Sequence, residues 1–270
     1  LITSRPVLID DYCMRGLFGG RGDEWRVVAV VVVGYVAVSG FEVALARNGV
    51  DLVAVRPGLA VTSAVVLGPA AAWGVALGYL VTDVLSGAFG ASTGIGYLSR
   101  FALAAAAYRL WGTFGVARPG VRPGARRLRA VLETGLVGVT AALFAVAVDA
   151  WGRLLVGEST FAAVVASSLG ATLVSTVTVG VVALVPLAAL ADRFGVRYDR
   201  PTGRASAGVI RGRVRSGVAA LVLSAAWCTV GYVGDAAFQS LGQQSRHRLI
   251  NRLGRGAFSA LDLVGPGGRR

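Results

Sequence analysis

The chain contains no lysine, a single histidine and two cysteines, and only 15% of its 270 residues are charged. The histidine, His247, falls in a polar C-terminal tail, so the sequence offers no basis for histidine acid/base catalysis or clustered histidine metal ligation. Cys13 and Cys228 are far apart and the second lies inside an apolar run, which leaves neither a disulfide framework nor a CxxC metal site. No P-loop, nucleophile elbow, metal motif or paired carboxylates with catalytic spacing appears. The first 25 residues are polar and lack an apolar core behind a basic start, so no cleaved signal peptide is expected. Two short strings are coincidences. Ser92 to Gly96, "STGIG", resembles a nucleotide-binding glycine turn but has no strand before it, and "RGD" at Arg21 to Asp23 is only three residues long.

What the chain has in abundance is apolar surface. Hydrophobic residues make up 55% of it and its mean hydropathy is +0.67. Its charged fraction is well below the roughly 25% of soluble domains, which places it in the membrane class. The net charge of +13 does not suggest a nucleic-acid partner, because the arginines cluster between apolar runs and do not interleave with aromatics along one element. Such clustering reports topology.

A hydrocarbon core of about 30 Å needs about 20 apolar residues as a helix. Candidate segments are Val27 to Ala46, Leu52 to Leu67, Ala70 to Leu85, Ile95 to Trp111, Val131 to Trp151, Phe161 to Leu190 and Val218 to Phe238. The second and third form one long stretch broken at Gly68-Pro69, where proline removes a backbone donor and disfavours helix at the residue before it. Charge supports two helices there. With the stretch split, sixteen arginines from the N-terminal arm and the loops around 118–129 and 193–215 collect on one side, against Arg47, Arg56 and Arg153 on the other.

The expected fold is therefore an all-α integral membrane protein, a six-helix transmembrane bundle with a seventh hydrophobic helix near the C-terminus. Its expected parts are a cytoplasmic arm (1–25), a six-helix membrane domain (26–191), a basic cytoplasmic loop (192–217), a possible seventh transmembrane helix (218–238) and a basic tail (239–270). If the seventh run crosses, the arginine-rich tail is exported, against the charge rule. Leu249, Ile250 and Leu253 in that tail have a spacing that suits a basic helix on anionic headgroups, or the tail is disordered.

Polar residues inside or at the rim of the spans are the candidate site. Asp83 lies near the outer end of the third segment, where a carboxylate faces protein, water or a cation, or else acts as a hydrated interfacial cap. Arg100, early in the fourth, must snorkel or find a partner, and Asp83 is within reach across the short loop. Arg109 beside Trp111 is an interfacial anchor, and Trp151 suits an aromatic belt near Asp149, Arg153 and Glu158. In the sixth segment, hydroxyls at Ser167, Ser168, Thr172, Ser175 and Thr176 recur at helical spacing, as helix-to-helix glue or as part of a pocket. The ligand contacts expected from this convergence are Asp83, Tyr97, Arg100, Trp151, Ser168, Thr172 and Ser175.

The order of an Arg-Pro-Gly start at Arg56, a short apolar helix ending in "LGP", a small-residue helix ending in "DVLSG", a glycine-containing loop and another apolar helix resembles the substrate-binding S components of energy-coupling factor (ECF) transporters. The similarity is best over 56–111 and the six-helix layout extends it to about 190. The resemblance implies capture of a vitamin or related micronutrient at the outer face. It also implies docking on a transmembrane coupling protein driven by two cytoplasmic ATPases. Gly34, Ala37, Gly40 and Ala44 would supply the small-residue face that docks, although the strict alanine repeat of that family is absent. A capture subunit is not an enzyme and needs no cofactor. Membrane lipids are the remaining expected partners. The alternative from another class is a non-catalytic membrane scaffold whose glycine- and alanine-rich helices pack against another integral protein.

Overall fold

The computed structural model describes residues 22–49, 54–116, 128–196 and 207–240. Every regular element among them is an α-helix: α1 (Gly22–Arg47), α2 (Arg56–Leu67), α3 (Pro69–Ser86), α4 (Ala91–Leu110), α5 (Leu128–Val156), α6 (Phe161–Arg193) and α7 (Ala207–Ser240). The N-terminal arm with Cys13, most of the arginine-rich loop after α4, and the tail with His247, Leu249, Ile250 and Leu253 lie outside the described residues.

Five of the helices, α1, α3, α5, α6 and α7, are long and apolar enough to cross a membrane. The chain is thus an all-α membrane bundle, and the seventh apolar run is a helix with the length and composition of a span. That helix is longer than its apolar run suggests, because it begins at Ala207 and carries Arg213 and Arg215 into its first turns. Helix α4 has the length, but Arg100, Arg109 and a polar first turn keep it out of the apolar group.

The break at Gly68-Pro69 is real, and its mechanism is local. Gly68 sits at φ +80°, a conformation L side chains rarely adopt, and donates its N–H to the Ala64 carbonyl at 3.1 Å to close α2. Pro69 then opens α3, where its missing N–H costs nothing. With 12 residues, α2 extends only about 18 Å. It tolerates that shortness because ten of those residues are buried by the helices around it, chiefly α6 and α4.

Small residues set how closely the helices approach, as expected where apolar burial alone does not distinguish protein from lipid. A Cβ on Gly58 of α2 would stand 2.4 Å from the Ser175 carbonyl oxygen of α6. Gly74 and Gly78, one turn apart on α3, receive Val31 and Tyr35 of α1. The pairs Val31–Gly74, Tyr79–Gly96 and Ser99–Ala145 run α1 parallel to α3, α4 antiparallel to α3, and α5 antiparallel to α4. One end of the bundle, the Asp83 end, therefore gathers Arg56, Asp83, Ala91, Val156 and Phe161. The opposite, Gly68 end gathers the α2–α3 break and the termini of α4, α5 and α6 at Leu110, Leu128 and Arg193.

Three carboxylates fasten the connections. Glu42 accepts from the Val55 and Arg56 N–H groups and pairs with the Arg56 guanidinium. Fully buried Glu133 accepts from the N–H groups of Phe114 and Val116, both at 3.0 Å. Asp235 of α7 accepts from Ala162 N–H at 2.8 Å, at the positive end of the α6 helix dipole.

Candidate functional site at the Asp83 end

Asp83 occupies the last turn of α3, and its backbone carbonyl accepts from Ala88 N–H in the glycine-closed turn at Gly87, φ +72°. One turn back, the Tyr79 hydroxyl faces the Asp83 carboxylate. The Tyr79 ring extends across Gly96 of α4, where any Cβ would lie 2.4 Å from the ring tip. One turn further along α4, the Arg100 guanidinium lies over the face of that ring, 5.8 Å from its centroid. A cation so placed is attracted to the ring quadrupole. The expected Asp83–Arg100 ion pair is therefore absent, and Tyr79 stands between the two charges. Gly96 is the reason, since only a residue without a side chain lets the ring cross there.

Tyr35 of α1 completes the group and carries no warning in the sequence. It is 6% exposed, packs its ring against Gly78, and lies within electrostatic reach of Arg100, Arg56, Glu42 and Asp83. Its hydroxyl is buried without a hydrogen-bond partner among the described residues, and so is Nε of Arg100. An unmade hydrogen bond on a buried group costs roughly 1–3 kcal/mol, so both atoms favour a bound acceptor. A tyrosine in an apolar helix reads as core packing, and only the tertiary arrangement shows where its hydroxyl ends.

Arg153 of α5 is within electrostatic reach of Tyr79 but is engaged elsewhere. Its Nε pairs with Asp149 at 3.2 Å, and its Nη1 lies 3.6 Å from Glu158. The rim charges expected at the end of α5 form this local cluster. Tyr97 is partly buried on α4.

The contacts of the remaining candidates are made with other residues. Trp151 packs edge-on against Phe161 of α6, ring centroids 5.3 Å apart, in a small separate apolar cluster with Ala150 and Val164. Its indole N–H is buried, with no hydrogen-bond partner among the described residues. The Ser168 hydroxyl donates to Val164 of its own helix at 2.6 Å. Ser175 is fully buried and its hydroxyl accepts from Gly58 N–H at 2.9 Å, which satisfies one of the free donors at the start of α2. Thr62 of α2 answers by donating to the Gly180 carbonyl of α6 at 2.7 Å. Thr172 is buried on the same face as Ser175 and Thr176. These two α6 positions thus lie on the face that joins α6 to its neighbours, with Ser175 bonded to α2.

The chain matches no protein-family model, no curated protein and no solved structure. Its candidate site is read from its own geometry.

On the far side of α1, Gly34, Ala37, Gly40 and Ala44 are all exposed, and a Cβ at Gly34 or Gly40 would meet nothing within 4 Å. Val27, Val31, Tyr35 and Ser39 take the opposite, buried face. Helix α1 is accordingly the least buried of the five long apolar helices.

Proposed function

We propose that the protein is the membrane-embedded substrate-capture subunit of an ECF-type micronutrient importer, binding a vitamin or related compound at the Asp83 end. In this reading the Asp83 end faces the exterior and the N-terminus lies in the cytoplasm, as the arginine distribution favours. The observation that carries it is the pair of buried, unpartnered donors, Tyr35 Oη and Arg100 Nε, beside Asp83 and Tyr79. Capture asks no chemistry of the chain, only polar groups held in place to orient a ligand. The exposed small-residue face of α1 is where a transmembrane coupling protein, coupled to two cytoplasmic ATPases, would dock.

The test is native mass spectrometry of the detergent-purified protein, with identification of any small molecule released. A stoichiometric vitamin-sized ligand supports the reading, as does its loss from folded Tyr35→Phe, Asp83→Ala and Arg100→Gln variants. Repeatedly empty protein from vitamin-supplemented preparations overturns it.

The same α1 face favours a second reading, a non-catalytic scaffold or accessory subunit packed against another membrane complex. Stable co-purification with an integral protein unrelated to any ATPase module, with no ligand bound, would select it.

A further inference from the structure

Partly buried Arg56, Arg100 and Arg153 stand toward the Asp83 end, and two of them are already matched. Arg56 pairs with Glu42, and Arg153 pairs with Asp149 and Glu158. Arg100 has no carboxylate within ion-pair distance among the described residues, and its contact is with the face of the Tyr79 ring. A ring face offsets only part of a guanidinium charge. An ionised group held in a helix bundle calls for a counter-charge.

Tyr35 supplies a second donor from α1. Its ring is fixed against Gly78 of α3, and its hydroxyl, like Nε of Arg100, is buried without an acceptor among the described residues. Of the charged groups that act on this tyrosine, Arg100 acts most strongly. A cation and a neutral donor, brought together from two helices and both lacking an acceptor, suit an anion. Its charge is limited by what surrounds it. One guanidinium balances one negative charge, and Asp83 already places a carboxylate at the other end of Tyr79, so a dianionic phosphate would leave excess negative charge in the bundle. A carboxylate carries a single charge, and its two oxygens match the fork of one guanidinium.

We propose that the captured compound is an acid with one negative charge, whose carboxylate lies between Arg100 and the Tyr35 hydroxyl. The proposal rests on the capture reading and names one end of what is captured. Asp83, across the Tyr79 ring, is left to a hydrogen-bond donor elsewhere in the ligand.

The probes are benzoate and benzamide, alike in shape and different in charge, followed by saturation-transfer NMR on the full chain in detergent. The wild type is expected to bind benzoate roughly tenfold more tightly than benzamide, since a hydrogen bond to a charged group is the stronger kind. Arg100→Gln should remove that preference. Tyr35→Phe keeps the ring against Gly78 and deletes a donor that has no acceptor, so the empty protein should unfold no earlier than the wild type while benzoate weakens roughly three- to tenfold. A purely structural role for Tyr35 would show the reverse, lost stability with benzoate affinity unchanged, and would overturn the proposal. So would absence of benzoate binding, equal binding of the two probes, or a preference that survives in folded Arg100→Gln protein.

The two readings fail separately. Release of a neutral or cationic vitamin-sized compound from the purified protein keeps capture and overturns the acid site. Arg100-dependent benzoate binding in a protein that stays empty in vitamin-supplemented preparations keeps the acid site and overturns capture. Release of a fatty acid, the lipid source of the same carboxylate, does the same.

Discussion

The guanidinium of Arg100 lies 5.8 Å above the ring centroid of Tyr79, and the hydroxyl of the same tyrosine faces Asp83. Two opposite charges on neighbouring helices are thus coupled through an aromatic ring rather than paired. The coupling has a measurable signature. In a double-mutant cycle on thermal stability, Asp83→Asn and Arg100→Gln should be non-additive by about 0.5–1 kcal/mol in the wild type. The two changes should become additive in a Tyr79→Leu background. Persistent coupling without the ring would mean that the charges act on each other directly.

Glycine substitutions should sort by what a new Cβ meets. At Gly58 the obstacle is the Ser175 backbone at 2.4 Å and at Gly96 the Tyr79 ring tip at 2.4 Å, whereas at Gly40 nothing lies within 4 Å. Gly58→Ala should cost about 3 kcal/mol and Gly96→Ala somewhat less, because backbone yields less readily than a side chain. Gly40→Ala should be neutral or stabilising by up to about 1 kcal/mol, as alanine is the better helix former. Unfolding in detergent ranks all three. A Gly40→Ala loss as large as that at Gly58 would place a tight contact on the open face of α1.

The buried carboxylates should differ in the same assay. Glu133→Ala strands the N–H groups of Phe114 and Val116, and should cost about 2–4 kcal/mol. Asp235→Ala strands the Ala162 N–H at the start of α6, where Thr160 still accepts from Ala163 at 3.3 Å, and should cost about 1 kcal/mol through that bond. Reversal of that order would show that α7 is held to α6 chiefly by Asp235.

Topology can be read by labelling. With Cys13 and Cys228 replaced by serine, cysteine at exposed Ala88 should react with an impermeant maleimide in intact cells. Cysteine at Phe194, 69% exposed at the end of α6, should react only after permeabilisation. Swapped accessibilities would invert the proposed orientation and put the Asp83 group inside the cell.

The sequence by itself determined the helical bundle, the break at Gly68-Pro69 and the small-residue stripe on α1. Each follows from local rules: a run length matched to a bilayer, a proline without an N–H, and residues three and four apart on one face. It also placed Thr172 and Ser175 correctly on one face of α6. What that face meets was decided only in three dimensions, where Gly58 brings α2 against it and Ser175 is spent on a backbone donor.

Tyr35 and Glu133 show the same limit. Nothing in the apolar run of α1 marks Tyr35 as the residue whose hydroxyl ends beside Asp83 and Arg100, and nothing near Glu133 announces that it will hold the turn after α4. Helical periodicity decides which side chains share a face of one helix, a matter of neighbours in the chain. Which face turns to which helix is settled by close approach at glycines and by buried groups seeking partners far away in sequence. That is why the membrane fold was legible from the residues alone, while the grouping of Tyr35, Tyr79, Asp83 and Arg100 belongs to the tertiary structure.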